Sequence, residues 1–122
     1  CGRWIPHQAF RAPGTIHVQC AELEEGHKFF TLARTVTQTR TGPAHYGTPI
    51  FTVFLGCDIK HARDIALADP LLSSKTPVMT PIGLGCQICE RSDCKHRGAP
   101  PLGRALRFDP LRRQSGLYDF GS

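Results

Sequence analysis

Apolar and polar residues alternate from Ile16 to Ala21, with Ile16, Val18 and Cys20 on one side and His17, Gln19 and Ala21 on the other. That period of two predicts a strand with one buried face. Glu24-Glu25-Gly26 forms a polar turn, and residues 27–39 return rich in Phe, Thr and Val, so the two runs predict a β-hairpin. Residues 41–48, with Gly42, Pro43 and Gly47, predict a loop. Pro49 to Cys57 is the most apolar stretch and predicts a third, central strand. The first thirteen residues hold Trp4, Ile5 and Phe10 among prolines and Gly2, and predict an irregular lead-in or short edge strand.

The pattern changes after Cys57. Asp58 is placed to cap a helix, Ile59, Ala62, Ile65 and Ala66 recur at helical spacing, and Pro70 stops the helix after Asp69. Leu71 to Pro81 predicts a linker, and beyond it periodicity fades. The expected fold class is α+β in a single domain. It comprises an antiparallel β-meander over 1–57, one main helix over 58–69, a Cys-rich loop segment over 83–104 and a tail over 105–122.

Composition narrows the function classes. The chain has 122 residues, 40% hydrophobic and 20% charged, which excludes collagen-like repeats and gross disorder. No apolar run approaches the ~20 residues of a membrane span, so a membrane role is not expected. The chain begins at Cys1 without Met and reads as a fragment, with no secretory leader recognised. A net charge of +5 suits an anionic ligand or nucleic acid without specifying either. Arg104, Arg107, Arg112 and Arg113 make a basic tail with only Phe108 interleaved, a pattern that fits a solvated surface better than a nucleic-acid site. There is no Walker A loop, no G-x-G-x-x-G and no nucleophile motif among the six histidines, so no enzyme is expected.

The six cysteines carry the chemistry. Cys86, Cys89 and Cys94 form C-x2-C-x4-C, and Cys57 ends the strongest strand. A Cys-x2-Cys pair turns two thiolates toward one centre, and four thiolates complete a tetrahedral zinc or hold a cubane cluster. Zinc ribbons usually pair two close knuckles. One pair, a four-residue gap and a distant Cys are more typical of iron–sulfur binding, with zinc, disulfides and free thiols as alternatives. Gly56, Gly83 and Gly85 allow the close backbone approach that amide-to-sulfur hydrogen bonds need. Cys57 would precede a helix N-terminus, which favours thiolate. Cys20 reads as a core residue and Cys1 has no partner motif. His96 could replace a thiolate in a zinc site, although such loop histidines are more often solvated.

The segments G-C-D-I-K-H-A (56–62) and T-P-I-G-L-G-C-Q-I-C-E-R-S-D-C-K-H-R-G-A-P-P-L-G-R (80–104), with W-I-P-H-Q-A-F (4–10) and F-F-T-L-A-R-T-V (29–36), carry a specific resemblance. Over nearly its whole length the chain resembles the C-terminal domain of the short-chain fatty acyl transcriptional regulators, which include regulators of the methylcitrate and glyoxylate pathways. The resemblance implies a cytoplasmic effector-sensing domain of a bacterial regulator, with a GAF-like core that binds short-chain acyl-CoA. It implies a [4Fe–4S] cluster on Cys57, Cys86, Cys89 and Cys94, with zinc the alternative, and no role for Cys1 or Cys20. Promoter DNA would be bound only through an N-terminal helix-turn-helix, which this sequence lacks, and the regulator is expected to be a homo-oligomer. Arg34, Arg40 and Lys60 are candidate contacts for the CoA phosphates. The upstream part of the sensor is expected to be absent, so this chain alone should bind acyl-CoA weakly or not at all.

Overall fold

The computed structural model describes residues 1–37, 49–107, 109–111, 118 and 120. Its centre is a four-stranded sheet in the order β3-β2-β1-β4. Strand β1 (His17–Glu22) pairs antiparallel with β2 (Lys28–Thr37), which pairs antiparallel with β3 (Ile50–Asp58). The expected meander is therefore present. The β1–β2 turn is closed by Leu23, whose amide donates to the His27 carbonyl at 2.9 Å, and by Gly26 at φ +93°, a conformation that favours glycine. The predicted loop over 41–48 lies outside the described residues, as do Arg40, Phe108, Arg112 and Arg113.

Four expectations need correction. The sheet is mixed, because Thr80–Pro81 forms a short strand β4 parallel to β1. Pro81 cannot donate to a ladder and is tolerated because β4 is an edge. Strand β3 is also an edge and not central: Phe51, Val53, Phe54 and Leu55 are all exposed. The lead-in contains a helix, α1 (Pro6–Arg11), with proline in its first turn, where no amide partner is needed. Ile5 and Ala9, four residues apart, bury the helix against Ala33.

The expected main helix over 58–69 is broken into short turns. Asp58 does act as a cap, accepting from the Lys60 amide at 3.0 Å, but it opens a 3₁₀ turn over Ile59–Asp64. A second follows over Ala66–Ala68, and Ile65 between them is extended. The apolar spacing explains this. Ile59, Ala62, Ile65 and Ala68 recur every three residues, and all join the cluster around Cys20 and Phe30. A period of three puts them on one side of a 3₁₀ helix, not an α-helix. Pro70 stops nothing: it lies in the first turn of the single α-turn α2 (Asp69–Leu72).

Strand alternation gives the sheet two faces with separate cores. Cys20, Phe30 and Cys57 are cross-strand neighbours on one face, covered by the 3₁₀ turns and α2. Ala21, Phe29, Ala33 and Phe54 lie on the other, under α1 and the residues leading into the cysteine segment. There Trp4 packs edge-on against Phe54 with ring centroids 5.3 Å apart.

Candidate metal centre

Residues 83–105 contain turns and bends but no helix or strand. With little regular structure to order it, this stretch depends on specific contacts. Its start is tied to the helical lead-in, because Trp4 Nε1 donates to the Gly83 carbonyl at 3.1 Å and Arg3 donates to the Pro81 carbonyl at 3.2 Å. Arg91 donates to the Glu22 carbonyl at 3.1 Å, and the Glu90 amide donates to Glu24 Oε1 at 2.9 Å, which moors the middle beside the β1–β2 turn. The P-P-L-G-R stretch folds back: the Leu102 amide donates to the Gln87 carbonyl at 2.8 Å, and Arg104 pairs with Glu90 at 3.1 Å. That ion pair is exposed and contributes little.

Arg97 organises the cysteine turns. Its guanidinium donates to the carbonyls of Cys86 (2.6 Å), Cys89 (2.7 Å), Arg91 (2.8 Å) and Ala99 (3.2 Å), while its own amide donates to the Cys94 carbonyl. Its Cζ lies 4.6 Å from the centroid of the Phe120 ring. Arg97 is only 3% exposed, and its Nε has no hydrogen-bond partner among the described residues. Among the described residues none of its hydrogen bonds reaches a carboxylate. A buried cation is a costly arrangement unless an anion stands nearby.

Two of the sulfurs sit in specific local surroundings. The Gly98 amide donates to Cys86 Sγ at 3.3 Å. That hydrogen bond is the main reason the Cys86 thiol is held below the usual thiol range, with the Ala99 amide and Arg97 acting the same way against partial desolvation. Cys89 is buried, and a Cβ built on Gly83 would stand 3.1 Å from both its Cβ and its Sγ. Gly83→Ala is therefore expected to destabilise the chain by about 1–3 kcal/mol through overpacking. An unchanged denaturation midpoint in urea would show that Cys89 simply moves aside.

The predicted ligands are not all brought together. Among the described residues no three His, Cys, Asp or Glu side chains stand close enough to hold a metal ion. Cys57 is half-buried in the cluster of Cys20, Phe30, Ala62 and Ala68, on the face away from Trp4 and Cys1. The sheet thus separates it from the C-x2-C-x4-C turns. His96 is exposed, as are Arg34 and Lys60. Burial pushes the Cys20 thiol up, in keeping with a core role. Two features were not foreseen. One is the role of Arg97, which lies in the quoted cysteine stretch but was assigned none. The other is Cys1, which packs with Trp4 against Ala21, Leu23 and Ile82.

The comparisons with known proteins decide the family. A family model described as "Short-chain fatty acyl coenzyme A regulator, C-terminal" matches residues 1–118. The chain belongs to this family. It is 40% identical over 122 residues to the HTH-type transcriptional regulator RamB of Mycobacterium tuberculosis, covering 97% of this chain and 25% of that protein. It is 36% identical over 115 residues to the propionyl-CoA carboxylase regulator of Cereibacter sphaeroides, covering 93% and 24%. A solved structure, a Mycobacterium tuberculosis transcriptional regulator, superposes with a TM-score of 0.83 at 32% identity, covering 96% of this chain and 35% of that one. The chain spans about a quarter of the length of the curated relatives it matches. Among the described residues no helix is long and apolar enough to cross a membrane.

Proposed function

We propose that this chain is the C-terminal effector-linked module of a cytoplasmic bacterial regulator of short-chain fatty acid metabolism, a binding and signalling module and not an enzyme. The observation that carries the reading is the match of the short-chain fatty acyl coenzyme A regulator family over residues 1–118, supported by relatives whose names describe transcriptional regulators. The sheet would be the later part of a GAF-like sensor domain. DNA contact would belong to a helix-turn-helix elsewhere in the regulator. A homo-oligomer is part of the same reading, because β3, an apolar edge among the described residues, is suited to pairing with a second copy.

The effector in this reading is a short-chain acyl-CoA. Among the described residues one cleft borders Leu23, Glu24, Gly83 and Ile88 and another borders Arg63, Asp69, Leu72 and Ser73. Both are open to solvent, whereas small-molecule sites usually bury most of the ligand. Titration calorimetry should therefore give weak or no heat with residues 1–122 alone. The intact regulator should bind acetyl-CoA or propionyl-CoA with an affinity that falls as salt rises, since phosphate–cation attraction is screened. Silence from the intact regulator with both ligands would sink the effector assignment. Tight binding by this chain alone would place the pocket within it.

The cysteine turns would hold a four-thiolate centre through Cys86, Cys89, Cys94 and one further cysteine. When bound, a [4Fe–4S] cluster would supply a redox-sensitive centre, whereas zinc would supply only a cross-link. The zinc case is the second reading, a structural oligomerisation domain. Absorption of anaerobically purified protein separates the two, because an iron–sulfur cluster is brown and zinc is colourless.

A further inference from the structure

We propose that the open half of the sheet face that carries Cys20 is a docking surface for a helical segment from the preceding part of the same regulator chain. That segment is apolar on the side it presents and bears a carboxylate there. The inference rests on the reading of this chain as the C-terminal module of a regulator.

The pairing register defines the surface. On β3, Phe51, Val53 and Leu55 share a face with Cys57, and their partners on β2 are Val36, Arg34 and Leu32. The Cys57 end of this face lies under the 3₁₀ turns and α2, where Phe30 is 1% exposed. At the other end Val36, Phe51, Val53 and Leu55 are between 39% and 60% exposed. The covering layer therefore stops half-way, and four neighbouring large apolar side chains lie beyond it. A contiguous patch of this kind marks an interaction surface, whereas single exposed apolar residues do not. Pairing of a strand with the β3 edge leaves the patch open, because that pairing uses main-chain groups while these side chains stand perpendicular to the sheet.

Arg34 gives the partner its chemistry. It lies within the patch, directly across from Val53, and is exposed. Among the described residues no ion pair or hydrogen bond holds its guanidinium. A layer laid over the patch must either pair this cation or bury it alone, which is costly. A second copy packed face to face is disfavoured on that ground. It would bring two Arg34 side chains, and no carboxylate from either patch, into one apolar interface. An apolar surface with an Asp or Glu opposite Arg34 meets both needs.

The preceding chain is the occupant within reach. This module spans about a quarter of its relatives' length and matches a C-terminal family model, so most of such a regulator comes before it. That chain joins beside Trp4, whose ring meets Phe54 with centroids 5.3 Å apart. Phe54 belongs to β3, so the chain arrives at the strand that borders the patch. Phe51 to Leu55 covers about 13 Å of strand. A helix of about nine residues has that length and would continue the layer of 3₁₀ turns and α2.

Two readouts on the intact regulator test this. Carbene footprinting with a photolysed diazirine modifies side chains according to access. Leu111 and Val78, 96% and 87% exposed, are internal standards for Leu55 and Val53. Leu55 and Val53 are expected to react at least about fivefold more slowly than their standards, because the centre of a docked surface excludes water. A smaller difference overturns the inference. In the second readout Arg34→Lys keeps the charge and supplies an amine, which a carbodiimide joins to a carboxylate in contact with it. Mixing isotope-labelled and unlabelled regulator separates links within a chain from links between copies. The expected product joins the introduced amine to an Asp or Glu that precedes residue 1 in the same chain. A link between copies, a link to a carboxylate within residues 1–122, or no link overturns the inference. Acyl-CoA titration of the intact regulator reports on the effector reading separately, so either can fail alone.

Discussion

Arg97→Met is expected to cost about 2–4 kcal/mol and to loosen the cysteine turns before it disturbs the sheet. Four carbonyls lose a charged donor, and hydrogen bonds to charged groups are each worth about 1.5–3 kcal/mol. Removing a buried cation offsets part of that loss. Methionine keeps much of the volume and can still pack on Phe120. Arg97→Lys separates charge from shape. It retains the cation but not the planar fork that serves several carbonyls at once, so its stability should fall between the two. Urea melts give the stability, and amide exchange over residues 86–101 gives the location. A Met variant with an unchanged midpoint and unchanged exchange would show that Arg97 is a passenger.

The meander was readable from sequence because β1 and β2 alternate and a glycine turn joins them. The broken helix was also in the sequence, as the three-residue spacing of Ile59, Ala62, Ile65 and Ala68. The four-residue spacing of Ala62 and Ala66 masked it, and Ala66 proves to be exposed while Ala68 is fully buried. Strand β3 misled in two ways. Its Ile50, Phe51, Val53, Phe54 and Leu55 are apolar at both parities, so the pattern reads as a central strand and does not say which way Cys57 points. The face of Cys57 depends on its register with Phe30, and that pairing is a long-range fact with no local signature.

The candidate site was legible only in part, for a related reason. C-x2-C-x4-C is a local motif. Of the three glycines expected beside the sulfurs, Gly83 does make room for Cys89, whereas Gly56 lies against Thr31 and a Cβ on Gly85 would meet nothing within 4 Å. The amide to Cys86 comes from Gly98, which was not foreseen. The contacts of the first residues and the burial of Arg97 are tertiary features. Nothing near Cys1 in sequence connects it with His96, and Arg97 is one of several arginines in the segment until its burial is known.

On the four-thiolate reading, removing the bound metal should produce the largest change of all, confined to one part of the molecule. Structural zinc contributes roughly 10–16 kcal/mol to small peptide domains, and in such sites the binding energy is folding energy. Here the sheet has its own cores on both faces, with Phe30 and Ile82 fully buried, so it should survive chelation. The segment 83–105 has no ladder or helix of its own and rests on Arg97, a few main-chain hydrogen bonds and the burial of Cys89 and Pro101. Without thiolates drawn to a centre, Arg97 becomes a buried cation with no anion, so the same residue that orders the turns in the loaded protein should strain them in the empty one. Chelation is therefore expected to speed amide exchange and proteolysis across 86–101 while leaving His17–Glu22 and Lys28–Thr37 protected. Arg97→Met should also release metal more readily, by about 10–100-fold as for other residues that support ligands from behind. Identical exchange across 86–101 with and without metal would refute metal-coupled ordering, whichever metal the protein holds.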